Sequence, residues 1–347
     1  MTEKDILTAL SKVMDPELGR NIVELTMVRD LKMNAGKVSF TLALTVLACP
    51  LKEKMAADAR AVLMAMDGVT DVEITFAAMT DEERQKILGN GQPQLPKLNQ
   101  FNKVKRVISI MSGKGGVGKS SVTATLAVAL AREGLKVGIL DADITGPSIP
   151  KVFGLPAGGV RGSEQGFLPA QTPMGIRVMS VNLLVKEDDS PVIWRGPMIT
   201  SAIRQFWEET LWGKLDVLLI DNPPGTSDAA ITVVQSLPLN GVMMVTTPQQ
   251  LSGLVVRKAV NMIKSLNIPI LGIIENMSYY PCPDTGNPHY IFGPSHVQEI
   301  AQMAGAPLTV QLPIDPQITA LCDAGQAEQI DTRPIQPLIE IIAPALK

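Results

Sequence analysis

Apolar and polar positions change rhythm twice along this chain. Near the start, Ile6, Leu7, Leu10, Val13 and Met14 share one helical face. Asp15-Pro16 is expected to end that helix, because proline disfavours helical geometry in the residue before it. A short strand over about 26–33 leads to turn chemistry at Asn34-Ala35-Gly36. Val38, Phe40, Leu42, Leu44 and Val46 then alternate with Ser39, Thr41, Ala43 and Thr45, the rhythm of a half-buried strand. After Cys49-Pro50 a helix is expected over about 51–66, with Leu51, Met55, Ala59, Val62, Leu63 and Met66 inward. Asp67-Gly68 turns the chain into another alternating strand through Val72, Ile74 and Phe76. Residues 1–78 therefore read α-β-β-α-β, a small α+β domain.

The pattern lapses over 79–102, where glycine and proline punctuate polar residues, the composition of a linker. From 103 to 347 short apolar runs alternate with helical patterns: 106–111, 136–140, 176–181, 215–220, 241–246, 269–274 and 307–311. Strands apolar on both faces and separated by helices predict an α/β domain with a parallel sheet covered on both sides. In such sheets ligands sit beyond the carboxyl ends of the strands. The segments 112–120, 141–148, 221–228, 246–250 and 275–282 should then be loops on one rim.

Length and composition fit this picture and narrow it. A chain of 347 residues, 46% hydrophobic and 19% charged, has the size of two domains and the balance of a compact protein. A net charge of −3 gives no reason to expect nucleic acid as a partner through bulk charge. No apolar run approaches the ~18 residues of a membrane span. The charged start, Met-Thr-Glu-Lys-Asp, lacks the apolar run of a secretory signal, so a cytoplasmic location without membrane partners is expected. Three cysteines, Cys49, Cys282 and Cys322, are too few for a disulfide framework. With two histidines, His289 and His296, a histidine-centred triad is not indicated.

The run from Gly113 to Ser120, GKGGVGKS, matches the phosphate-loop pattern G-x-x-x-x-G-K-[ST] between an expected strand and an expected helix. Glycines let successive backbone N–H groups converge on phosphate oxygens, and the helix N-terminus adds partial positive charge. Lys119 would reach the β- and γ-phosphates and Ser120 would hold Mg²⁺. Hydrolysis also needs a carboxylate on the metal side, and the apolar run 215–220 ends in Asp221. Asp141 and Asp143 end a second strand on the same rim, where they could serve the nucleotide or cap a turn or helix.

Further segments carry a family resemblance. The loop with its early Lys114 resembles the deviant phosphate loop of partition, septum-positioning and nitrogenase-iron-protein ATPases. The stretches DADITGPSIP at 141–150, WRGPM at 194–198, DNPPGT at 221–226 with Asp228, and ENMS at 275–278 resemble Mrp/ApbC-type iron–sulfur cluster carriers. DPELG at 15–19 through ACP at 48–50 resembles the MIP18-like domain often fused before that ATPase. The resemblance implies an ATP-hydrolysing homodimer, slow in turnover, that passes a cluster to apoprotein acceptors. It implies that Lys114 crosses to the partner's phosphates, Asp143 orients the attacking water, Asp221 supports Mg²⁺ and Asn276 contacts the adenine. Gly113, Lys114, Gly115, Gly116, Val117, Gly118, Lys119, Ser120 and Ser121 would line the nucleotide. Residues 221–228 would be the switch that senses the γ-phosphate.

One departure matters. The family pattern has a Cys-x-x-Cys pair after ENMS; here Cys282 is followed by Thr285 at the second position. A hydroxyl is a poor ligand for a soft iron–sulfur site. Cys282 remains the candidate cluster ligand, and Asp284, His289 or Cys49 could complete the set; Cys322 reads as helix packing. Two other readings stay open: a positioning or partition ATPase acting on membrane or DNA, and a nucleotide-gated scaffold without a cluster. The prolines of the C-terminal stretch and its single lysine, Lys347, fit poorly with the basic amphipathic helix that septum-positioning proteins use on membranes.

Overall fold

The computed structural model describes residues 2–15, 20–34, 36–44, 52–80, 98–184, 196–226 and 228–346. The chain divides into two compact units, Met1–Gln92 and Pro93–Lys347. Val46, Cys49, Pro50, Leu51 and most of the expected linker lie outside the described residues.

In the first unit, helix α1 (Glu3–Leu10) begins at a capping box in which Thr2 and Asp5 satisfy each other's backbone N–H groups. The helix stops sooner than expected. Residues 13–15 spend their backbone on 20–22: Ile22 N–H donates to Val13 O and Asp15 N–H to Arg20 O. Ile6, Leu10 and Val13 are buried, whereas Met14 is left half exposed. Strands β1 (Val28–Asn34) and β2 (Lys37–Leu44) pair antiparallel, and β3 (Asp71–Ala78) joins β2 in parallel after helix α2 (Lys52–Met64). Phe40, Leu42, Met55, Ala59 and Leu63 close the core between sheet and helices. The order is the α-β-β-α-β expected from the sequence.

The second unit follows the alternation of its apolar runs. Its elements are β4 (Lys103–Ser112), α3 (Lys119–Arg132), β5 (Val137–Asp141), α4 (Ile149–Val152), β6 (Arg161–Ser163), β7 (Gly166–Leu168), β8 (Ala170–Gln171) and β9 (Arg177–Met179). There follow α5 (Gly196–Glu209), β10 (Lys214–Asp221), α6 (Asp228–Ser236), β11 (Gly241–Thr246), α7 (Gln250–Ser265) and β12 (Ile270–Pro281). The last are β13 (Pro288–His289), α8 (Val297–Ala304), β14 (Leu308–Pro313), α9 (Pro316–Asp323) and α10 (Gln336–Leu346). The central strands run β14-β12-β11-β4-β10-β5-β9, all parallel, with antiparallel additions at β8 and β13.

Every residue of β5 and β11 is buried, the reason these strands read as continuous apolar runs. Along β11, Met243 and Val245 face one core cluster and Val242 and Met244 the other, so both sheet faces are covered. Helix α3 is more enclosed than its expected stripe of Val122, Leu126, Ala129 and Leu130. From Val122 to Leu130 all of it is buried, and its alanines and threonines are small enough to sit close against neighbouring elements. Helix α10 packs Leu338, Ile339 and Ile342 into the core; Pro337 occupies the first turn, where no intrahelical N–H bond is lost. Among the described residues no helix is long and apolar enough to cross a membrane.

One expectation about the rim needs correcting. Residues 275–281 form no loop but extend β12, with a register break between Glu275 and Tyr279 and Met277 at φ 56°. An irregular strand of this kind re-aims side chains while keeping its pairing.

Candidate functional site

At the carboxyl end of β4 the chain curls through Gly116 at φ 78° and Gly118 at φ 77° into α3. A side chain at either would be strained, and at Gly118 it would also meet Asn276 Nδ2. Gly113 lies against the backbone of Val255 and Val256, where an added Cβ would stand 2.9 Å from each. Gly118, the N-cap of α3, has no side chain to cap it, which leaves the first N–H groups of the helix to the loop.

Three side chains of the loop and helix converge on Asp221 at the end of β10. Lys119 Nζ donates at 2.6 Å and Ser120 Oγ at 2.7 Å to one carboxylate oxygen; Thr123 Oγ1 donates to the other at 2.7 Å. Asp221 is fully buried and Lys119 nearly so. An ion pair this dry survives through such bonds, since desolvation offsets most of its Coulomb attraction. The neighbouring strand β5 ends in Asp141, also fully buried. Its Oδ2 accepts from Ser148 N–H, Ile149 N–H and Ser180 Oγ, while Oδ1 has no partner among the described residues. Burial, and then the Asp221 carboxylate, push the Asp141 pKa up to about 8. Asp143 is half-buried and accepts from Thr145 Oγ1 and Gly146 N–H at 3.1 and 3.2 Å. Both strand-end acids thus perform the capping that the sequence left as one of two alternatives.

Lys114 Nζ donates to Gln249 Oε1 at 2.7 Å across the mouth of the loop. The segment after Asp221 lies along the loop, with Gly225 N–H donating to Ser112 O at 3.0 Å. Asn276 Nδ2 donates to Val117 O at 2.9 Å. It borders a recess lined also by Ser121, Val122, Thr125, Leu312 and Pro313.

Beyond this rim, β12 and β13 form a two-residue ladder, Tyr280 opposite His289 and Pro281 opposite Pro288. A tight turn closes it: Cys282 N–H donates to Asn287 O and Gly286 N–H to Cys282 O. The Thr285 hydroxyl first, then the Thr285 and Asp284 backbone N–H groups and the His289 side chain, lower the Cys282 pKa to about 6. Cys322 is buried on α9 with its sulfur 4.0 Å from Ser121 Oγ, and burial raises its pKa.

A family model described as NUBPL iron-transfer P-loop NTPase matches residues 103–346. The chain belongs to this family. A second model, described as iron-sulfur cluster assembly protein, matches residues 3–76. An iron-sulfur cluster carrier protein of Synechocystis sp. is 42% identical over 319 residues, 91% of this chain and 88% of that protein. The carrier protein of Methanocaldococcus jannaschii is 47% identical over 226 residues, 65% of this chain and 78% of that protein. Among solved structures, a nucleotide-binding protein of Archaeoglobus fulgidus in complex with ADP aligns with TM-score 0.59 at 44% identity. That alignment covers 66% of this chain and 89% of the other. MinD of Pyrococcus horikoshii aligns with TM-score 0.50 at 23% identity over 69% of this chain and 96% of its own, a likeness of fold.

As an iron-transfer P-loop NTPase, the chain has residues at its rim that sequence reading passed over. Thr123 stands four residues after Lys119, one helical turn along the same face, and that spacing is the signal that could have placed it beside Lys119. Gln249 lay in a loop already assigned to the rim, but nothing local tied it to Lys114. Pro313 belongs to β14, whose approach to the recess depends on the sheet order. The donors suit a magnesium ion: Ser120 Oγ and the Asp221 carboxylate are hard oxygens.

Proposed function

We propose that the chain is an Mg·ATP-dependent carrier that hydrolyses ATP and delivers an iron–sulfur cluster to apoproteins, working as a homodimer. The observation that carries the reading is the convergence of Lys119, Ser120 and Thr123 on the buried Asp221 beside a glycine-shaped loop. In this reading residues 1–78 form the small domain, 79–102 the linker and 103–347 the ATPase domain.

The loop N–H groups and the start of α3 bind the triphosphate, and its oxygens compete with Asp221 for the Lys119 ammonium. Ser120 and Asp221 would hold Mg²⁺, which neutralises charge across the β- and γ-phosphates when bound. Asp143 orients the attacking water. Lys114 leaves Gln249 for the phosphates of the second copy, supplying positive charge where the transition state develops negative charge. Asn276 and the recess beside it receive the adenine. Because the site is complete only when two copies close, turnover is slow. Residues 221–228 couple the γ-phosphate to the rest of the rim. Cys282 holds the cargo.

Two measurements test this. Phosphate release by the wild type should exceed that of Lys119→Ala; equal rates remove the enzyme reading. Anaerobic treatment with iron and sulfide should leave both on the wild type; if it retains no more than Cys282→Ala, the carrier reading falls.

A further inference from the structure

Two copies of the chain bring two Cys282 sulfurs to a cluster, whereas an iron–sulfur cluster takes four protein ligands. The missing pair must come from elsewhere, and the β12–β13 register shows where. Tyr280 faces His289 across the ladder, and Cys282, just past the last ladder pair and two residues beyond Tyr280, carries the register on by donating its N–H to Asn287 O. Cys282 and His289 are therefore diagonal neighbours, a spacing that a long side chain spans. The other candidate in this turn, Asp284, meets Cys282 through its backbone N–H.

We propose that His289 is the second protein ligand of the iron–sulfur cargo, so that two copies hold the cluster through Cys282 and His289 of each. This rests on the carrier reading above. Imidazole nitrogen is an established substitute for thiolate on such irons, and a threonine hydroxyl is not. On ligation the Cys282 thiolate and the neutral imidazole each donate a lone pair, any proton still on the sulfur passing to solvent; no electron changes hands. Thr285 keeps its place as a hydrogen-bond donor to the sulfur. Two thiolates and two imidazoles place less negative charge on the cluster than four thiolates, which favours its reduced form. The site is incomplete without a second copy. Tyr290, Ile291 and Phe292, consecutive and 53%, 59% and 38% exposed, follow His289 directly and supply the apolar surface that the second copy covers.

The test uses the full chain, loaded anaerobically with ferrous iron and sulfide and then reduced. The wild type, His289→Ala, His289→Cys and Thr285→Cys are compared for iron and sulfide per dimer. Pulsed electron paramagnetic resonance is recorded on protein labelled with ¹⁵N-histidine. The chain has two histidines; His296 sits at the start of α8 with its backbone N–H on Glu275, so the label reports few sites. The expected result is a directly coordinated nitrogen in the wild type. His289→Ala should retain about tenfold less iron or worse. His289→Cys should load again without the nitrogen signal, which damage to the hairpin alone would not produce. A loaded wild type without nitrogen coupling, or His289→Ala loading like the wild type, overturns the ligand assignment. So does loading by Thr285→Cys while the wild type stays empty, although the carrier reading then survives. If all four proteins stay empty, the carrier reading itself fails.

Discussion

The phosphate loop and the Cys282 hairpin solve opposite problems at the same end of the sheet. Around the loop the charged groups are paired within the chain: Asp221 receives three donors, and even Lys114 finds Gln249. The hairpin leaves its chemistry nearer the solvent, with a half-buried sulfur, an exposed imidazole and three exposed large side chains in a row. Closed wiring suits a site that must hold a charged ligand in fixed geometry. An open half-set of ligands suits a cargo that is picked up and handed on.

The largest expected effect comes from opening the closed site at the residue that points out of it. Lys114→Ala should lower the rate of phosphate release by about 10³-fold or more if its ammonium acts on the second copy's phosphates. Calorimetric ATP binding should change little, because the loop backbone and Lys119 remain. A rate loss below about tenfold would show that Lys114 serves only its own loop.

Next in size is the internal pair. Lys119→Ala leaves Asp221 buried with a charge and two hydroxyl donors, which should cost about 3–5 kcal/mol in urea denaturation measured without added nucleotide. Adding Asp221→Asn should recover much of that loss, since a neutral amide needs no counter-charge. If the double variant is as unstable as the single one, the pair is not what holds this end of β10.

These two residues also show why the loop was legible and the hairpin was not. Lys114, Lys119 and Ser120 fall within one short run whose spacing is itself the mechanism, and Asp221 ends an apolar strand that could hardly be read otherwise. The helical stripe of α3 was visible, but its burial on every side depends on neighbours far away in sequence. The early end of α1 was hidden because the partners of residues 13–15 lie at 20–22, beyond the proline that seemed to explain the stop. The extension of β12 was hidden for the same reason: pairing with β13 and β14 is not written in residues 275–281. Likewise, sequence left Asp284, His289 and Cys49 as candidates beside Cys282, and the ladder that sets His289 opposite Tyr280 is not written in any local pattern.

A smaller effect tests how closed the site is to water. In the unfolded chain Asp141 ionises near 3.8, whereas in the fold burial holds its proton up to about 8. Stability from this group is therefore complete below pH 4 and is lost as pH rises towards 8, where the folded carboxyl ionises too. Denaturation without added nucleotide should show a decline between pH 5 and 8, of roughly a few kcal/mol at most. Asp141→Asn should flatten it. An equal slope in the variant would mean that Asp141 is already ionised and paired at neutral pH.

The smallest effect compares the two kinds of site through one element. Cys282 titrates near 6 because Thr285 donates to its sulfur, whereas burial raises Cys322 above the usual thiol range. Iodoacetamide at pH 7 should therefore alkylate Cys282 and spare Cys322, with peptide mapping by mass spectrometry separating both from Cys49. Reaction at Cys282 should rise with pH through about 6 and then level off, because the thiolate is the nucleophile. Thr285→Val removes the leading donor and should move that midpoint upward, slowing alkylation at pH 7 by about a fewfold. A midpoint that stays in place would assign the activated sulfur to the backbone N–H groups and His289 instead. The hairpin would then owe its chemistry to its fold, as the loop does, and the contrast between the two sites would narrow to exposure alone.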